Sequence, residues 1–313
     1  MLSRTAENLF WLARYVERAE CLARILEVTQ RLTTLPLAYV GSTNEWESAV
    51  ATAGCAHAFS AIYPEATEDS VINFLCFSQQ NPSSIRNCFE IARTNARAVR
   101  TALTVEMWDA INGTWLELKR FGNGASSREE FVRFLRWVQE CSLRFDGSAY
   151  RTMLRNDAYW FSRLGVYVER ADNTARILDV KYHLLLPANE RVGGPLDYFQ
   201  WAAILRSVSA LTAYHWVYRE SVKPWLIADL LILKDEMPRS LASCYGNLVQ
   251  NLEHIAKAYG RQGPAQRHAR SLRARLENSR MEEIFQQGLH EFIDEFINDN
   301  NTLGAAITEQ YLM

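Results

Sequence analysis

The stretch YVERAECLARIL, Tyr15 to Leu26, is written again as YVERADNTARIL, Tyr167 to Leu178, 152 residues further along the chain. Aligning Asn8–Val28 with Trp160–Val180 gives 11 identities in 21 positions, and charged residues are among those kept: Glu17 with Glu169, Arg18 with Arg170, Arg24 with Arg176. A second match follows at a slightly different offset. Phe74–Phe89 aligns with Leu230–Tyr245 and pairs Pro82 with Pro238, Ser84 with Ser240, and Cys88 with Cys244. Two matches in the same order predict a tandem duplication of about 150 residues. The halves, approximately 1–150 and 151–313, differ too little in composition to read as separate domains. The expectation is one domain over 1–313, a single helical bundle with pseudo-two-fold symmetry.

Helix is expected nearly everywhere. Glycine and proline are sparse, and apolar residues recur three and four apart, the period of an amphipathic helix. Asn81 and Pro82 read as an N-cap and first helical position, and Ser126 with Glu129 reads as a capping box. Pro187, Pro195, Pro224, Pro238 and the Gly263-Pro264 pair mark breaks between helices. Alternating apolar and polar runs bounded by hairpin turns are absent, so the fold class is all-α.

On a helix turning about 100° per residue, Leu9, Leu12, Ala13, Val16, Ala19 and Ala23 form one apolar stripe. Glu20 and Glu27 fall on or beside it, Glu17 and Arg24 lie next along the same flank, and Arg18 points to nearly the opposite side. The second copy repeats the ladder as Glu169, Asp172, Arg176 and Asp179, with Arg170 matching Arg18. Charges beside an apolar stripe are costly to bury unless paired, and exposed helix pairs contribute only about 0.3–0.5 kcal/mol. Retention in both copies therefore predicts an interior ladder paired across the repeats. Three roles compete for it. The ladder fixes how the repeats dock, or the arginines hold a carboxylate or phosphate, or Glu17, Glu20, Glu169 and Asp172 hold a divalent metal. All-carboxylate coordination would suit Mg²⁺, and the E-x-x-H element of di-iron bundles is absent.

Two weaker candidates lie outside the ladder. Arg93, Arg97 and Arg100 share one side of a helix, with Asn95 nearby, and would suit an anionic partner unless they are a solvated basic face. Trp108 and Asn112, four apart, suit stacking and hydrogen bonding to a ligand, although tryptophan at this spacing more often belongs to the core. Motifs for nucleophilic hydrolysis, phosphate loops, dinucleotide binding and zinc hydrolysis are all missing, and the six histidines share no metal-ligand spacing. Nothing in the chain nominates a catalytic residue, and no cofactor is expected.

Charge and cysteine usage bound the setting. A formal charge of −2 offers no global attraction to nucleic acid or an anionic membrane, and the basic run Arg267–Arg275 reads as the solvated face of a helix. Six scattered cysteines without a C-x-x-C pair suit reduced thiols. Arg4 and Glu7 stand where an export signal would be apolar, and the most apolar run, Trp225–Leu233, is nine residues long. The expectation is a soluble, cytoplasmic protein with no nucleic-acid or membrane partner.

Over nearly its whole length the chain resembles the bacterial alpha-E proteins, an all-helical group with a recurring Glu-Arg motif. The pieces that carry the likeness are LSRTAENLFWLARYVERAE, NPSSIRNCFEIARTNARAVR, EMWDAIN, LGVYVERADNTARILD and EMPRSL. One departure is Val166, where the first copy has Arg14. The resemblance implies a setting beside circularly permuted ATP-grasp ligases and transglutaminase-like cysteine peptidases. That setting is an ATP-grasp-linked system forming amides or peptides, or tagging proteins. Carried onto this chain, the motif is Glu17-Arg18 and Glu169-Arg170. The implied role is a helical component that binds an anionic ligand, a peptide or the ligase. Two alternatives stand beside it: a structural adaptor whose ladder serves only the fold, and a stand-alone enzyme using paired carboxylates.

Overall fold

The computed structural model describes residues 1–33, 44–121, 127–183 and 194–312, and no strand forms among them. The first part of the chain runs α1 (Ser3–Leu32), α2 (Glu45–Thr52), α3 (Ala56–Ser60), α4 (Glu68–Ile72), α5 (Ile85–Ala98), α6 (Val105–Leu118) and α7 (Arg128–Thr152). The rest runs α8 (Asp157–His183), α9 (Pro195–Ser207), α10 (Leu211–Tyr218), α11 (Pro224–Ile232), α12 (Leu241–Tyr259), α13 (Pro264–Asn278), α14 (Met281–Gln287) and α15 (Leu289–Ile307).

Side-chain caps set most helix starts. Ser84 accepts from the Asn87 amide to open α5, and Ser240 accepts from the Ser243 amide to open α12. Pro195, Pro224 and Pro264 occupy first helical positions, where a missing N–H costs nothing. Two expected caps are corrected. Asn81 does not open α5; it is buried in the preceding turn, donating to the Phe74 carbonyl and accepting from the Ser83 amide. α7 is capped by Ser127, which accepts from the Glu130 amide. Ser126 and Pro187 lie outside the described residues.

α1 and α8 carry the repeated sequence and pack against each other. Their contacts advance in the same sense: Phe10 meets Gly165, Glu17 meets Arg170 and Asn173, and the pair is therefore parallel. Parallel neighbours need a long crossover, which α2 to α7 supply. The approach is close because Gly165 has no side chain. A Cβ there would stand 2.2 Å from the Phe10 carbonyl oxygen and 3.1 Å from the Ala13 Cβ.

Each long helix has an antiparallel companion. Ser142 and Gln139 of α7 reach Glu20 and Glu27 of α1. Asn300 and His290 of α15 reach Val168 and Asp179 of α8. α5 covers α1 and α12 covers α8, and one hydrophobic cluster runs through all of them. Leu9, Phe10, Leu12, Ile25 and Leu26 are fully buried, each contributing about 1.5–3 kcal/mol by leaving water.

α1 has α5, α7 and α8 around it, so the side opposite its apolar stripe is a helix interface and not solvent. Arg18 points into that interface. All six cysteines are free thiols, and no described helix is long and apolar enough to cross a membrane.

Candidate functional site

The repeated helices exchange their charges. Arg18 donates to Glu169 from Nε at 2.6 Å and Nη2 at 3.1 Å, and Arg14 adds a third bond from Nε at 2.7 Å. In the reverse direction Arg170 donates to Glu17 from Nη2, and from Nε at 3.2 Å. Tyr15 lies under Arg18 and Tyr167 under Arg170, their ring centres 5.5 and 5.6 Å from the guanidinium carbons. Glu17, Glu20 and Glu169 are each only 2% exposed. Burial opposes ionisation of Glu169, but Arg18 and Arg14 outweigh it and hold its carboxyl at about 2. The Glu169 charge raises Arg18 in turn, against the desolvation that would lower it.

One flank of this core is closed. Glu20 accepts from Arg24 at 2.8 and 2.6 Å, from the Ser142 hydroxyl at 2.6 Å, and from Arg239. Arg24 also reaches the Ser207 carbonyl. Burial works against the Glu20 charge, yet Arg239 and Arg24 bring its pKa down to about 2. Burial and the neighbouring Arg239 lower Arg24 in spite of Glu20. Arg24 and Glu27, neighbours in the ladder by spacing, are not paired with each other; Glu27 takes Arg31 at 2.7 Å and Gln139 at 2.8 Å.

The other flank is open. Asp172 and Arg176, aligned with Glu20 and Arg24, pair at 2.6 Å but stay 13% and 27% exposed. They line a cavity of about 190 Å³ together with Arg18, Glu169, Asn173 and Ser83, and with Gly54, Cys55 and apolar residues of α1. Ser83 is the residue aligned with Arg239, so the position that closes one flank carries only a hydroxyl on the other. Gly54 lies against the Arg176 guanidinium: its φ is +69°, and a Cβ would come within 2.9 Å of Nη1. Nη1 of Arg18 and Nη1 of Arg176 donate to no described residue. Two guanidinium groups, those of Arg18 and Arg176, and two carboxylates, those of Glu169 and Asp172, line this cavity. Desolvation raises the Cys21 and Cys55 thiols, which keeps both protonated and unreactive at neutral pH.

Glu169 also stands between two spaces. Arg18 on one side lines the cavity just described, and Arg14 on the other lines a wider recess of about 430 Å³ with Trp11, Asn300, Asn301, Gly304, Thr308 and Glu309. Arg14 stacks on Trp11, its guanidinium carbon 4.7 Å from the ring centre.

The remaining candidates are dispersed. Arg93 of α5 donates to Asn112 of α6 at 2.8 Å, and Arg100, in the turn after α5 ends and not on the same helix as Arg93 and Arg97, covers Trp108 of α6 at 4.3 Å. Asn95 is half-buried and Arg97 exposed on α5, and none of the five candidates lines the Arg18–Arg176 cavity. The basic run on α13 is a solvated face whose arginines pair with Glu253, Glu277, Glu295 and Asp299. Guanidinium groups occupy oxygens of Glu17, Glu20, Glu169 and Asp172 that Mg²⁺ would require, so the arrangement is an ion-pair core and not a carboxylate cage. Asp179, His290 and Asp294 bring ligand atoms within 4.8 Å of one another, a grouping made only by folding.

Sequence reasoning missed Arg14, Arg239, Ser142, Ser83 and Gly54 as parts of this arrangement. A signal existed for one pair. In the second aligned segment Arg239 stands opposite Ser83, an unmatched charge beside two matched prolines.

The fold and its core define an all-helical protein organised around reciprocal glutamate–arginine pairs. The model of the Alpha-E family, described as a predicted alpha-helical domain with a conserved ER motif, matches residues 1–312, and the chain belongs to that family. No curated protein and no solved structure matches it.

Proposed function

We propose that the protein is a binding component of an ATP-grasp-linked system that forms amides or peptides or tags proteins. In this reading it holds a small anionic group, a carboxylate or phosphate, in the cavity between Arg18 and Arg176. The observation that carries the ligand reading is the open flank: two guanidinium Nη1 groups, of Arg18 and Arg176, that line one cavity and have no acceptor among the described residues. The Glu17–Arg170 and Arg18–Glu169 pairs then dock the two halves, which we take to be a tandem duplication with pseudo-two-fold symmetry. The aligned Ser84 and Ser240 caps and the matched antiparallel companions support that origin.

The link to a circularly permuted ATP-grasp ligase and a transglutaminase-like peptidase, and a cytoplasmic setting, rest on the sequence resemblance and composition. The adaptor alternative is favoured by the closed flank, where Arg24, Arg239 and Ser142 take up Glu20. The enzyme alternative has less support, because carboxylates held near 2 are poor proton donors and acceptors at neutral pH.

Calorimetric titration with acetate and with inorganic phosphate tests the binding role. Wild type is expected to bind one of them, and Arg176→Gln to weaken that binding at least tenfold while unfolding at nearly the same denaturant concentration. A folded wild type that binds neither anion removes the ligand reading. Unchanged ligase-dependent product formation with folded Arg176→Gln protein would detach the cavity from the pathway.

A further inference from the structure

The ligand of the open cavity carries an amine beside its carboxylate, and we infer that it is a free α-amino acid. The inference rests on the anion-binding reading above and adds a second recognition element to it. The two flanks of the Glu-Arg core serve as each other's control. On the closed flank, Glu20 accepts from two arginines and a serine hydroxyl. On the open flank, Arg176 is the one donor to Asp172 among the described residues, at 2.6 and 3.5 Å. A carboxylate offers about four acceptor directions, so Asp172 keeps capacity that its counterpart spends on Arg239 and Ser142.

The missing donor has a location. Arg239 is replaced by Ser83, and Asp172 is one methylene shorter than Glu20, so both changes widen the same space. What Glu20 receives in that place is a cationic nitrogen. Asn173, next in sequence to Asp172, donates its Nδ2 to the Glu17 carbonyl at 3.2 Å, which leaves its Oδ1 as a second acceptor in the cavity lining. The lining therefore offers acceptors for an ammonium, at Asp172 and Asn173, and donors for a carboxylate, at Arg18 and Arg176.

Size and lining exclude larger ligands. About 190 Å³ is below the ~300–1,000 Å³ of sites for drug-sized molecules. The described lining residues include no aromatic side chain on which a base would stack. A single small amino acid satisfies both poles at once. A peptide N-terminus offers only the ammonium and a peptide C-terminus only the carboxylate.

The test is a calorimetric comparison of four probes on the intact protein: acetate, alanine, alaninamide and N-acetylalanine. Alanine is expected to bind at least tenfold more tightly than acetate or N-acetylalanine. Asp172→Asn should remove that advantage while leaving acetate affinity unchanged, and alaninamide should bind more weakly than alanine. Ser83→Arg, which supplies the guanidinium that closes the other flank, should abolish alanine binding without lowering the unfolding midpoint. If N-acetylalanine binds as well as alanine, the amine is not recognised and the inference fails, while anion binding stands. If alaninamide matches alanine, the ligand is a chain N-terminus and the free amino acid is overturned. If neither acetate nor alanine binds, both readings fall together.

Discussion

Arg18 closes on Glu169 across 151 positions of sequence, and Arg170 closes on Glu17 in the reverse direction. Glu17 and Arg18 are adjacent and about 100° apart around their helix, so they cannot pair with each other. Each copy of the motif therefore supplies the acid for the arginine of the other. The arrangement makes the two copies mutually dependent, and it sets the order of mutational effects.

Arg170→Gln is expected to cost about 3–5 kcal/mol, the range for breaking a buried ion pair from one side. It leaves Glu17 with Arg239 at 4.0 Å as its nearest cation. Arg18→Gln should cost less, about 1.5–3 kcal/mol, because Arg14 remains on Glu169 at 2.7 Å. Urea unfolding of the two variants checks the inequality. Adding Glu17→Gln to Arg170→Gln should recover part of the loss, since it removes the stranded charge.

Acid should destabilise the protein in a defined window. Glu20 and Glu169 titrate near 4.5 when unfolded and near 2 when folded. A depressed folded value means that the unfolded chain takes up protons first. The stabilisation is thus complete above about pH 4.5 and is lost as pH falls toward 2. Each group contributes on the order of 3 kcal/mol. Unfolding free energies measured from pH 6 down to 2.5 should fall steeply below 4.5, and Glu169→Gln should flatten that slope.

Gly165→Ala should drive α1 and α8 apart. The added Cβ meets a backbone carbonyl at 2.2 Å, which cannot swing aside as a side chain can. A loss of at least about 1–3 kcal/mol is expected. Gly147→Ala, where nothing lies within 4 Å, is the control and should be neutral or slightly stabilising.

Gly54→Ala should separate binding from stability. Its positive φ costs about 1–2 kcal/mol for any other residue, and the Cβ displaces the Arg176 guanidinium. Anion affinity should fall about tenfold. Gly260→Ala has a similar φ of +67° and open space around it, so it should pay the same backbone cost with no change in affinity. Equal affinities for the two variants would show that the Arg176 position does not matter.

Much of the fold was legible in the chain. Apolar spacing and scarce glycine and proline give helices, because backbone hydrogen bonding within a segment needs no distant partner. The identity of the paired motif was legible too, since charges kept beside an apolar stripe are costly unless they meet opposite charges. Partners were not. A helix wheel places Arg18 nearly opposite the stripe but does not say which helix covers that side, and only packing shows that α8 lies there.

The difference between the flanks also belongs to tertiary structure. Glu20 and Asp172 occupy aligned positions with an arginine four residues on. One is sealed by Arg239, from the turn before α12, and by Ser142 of α7; the other faces Ser83 and a cavity. Sequence determined the helices and the charges they carry, because these depend on neighbours within a few turns. Which charges are locked together and which stay open depends on residues far away in sequence, from Ser83 to Arg239, and only the fold brings those into reach.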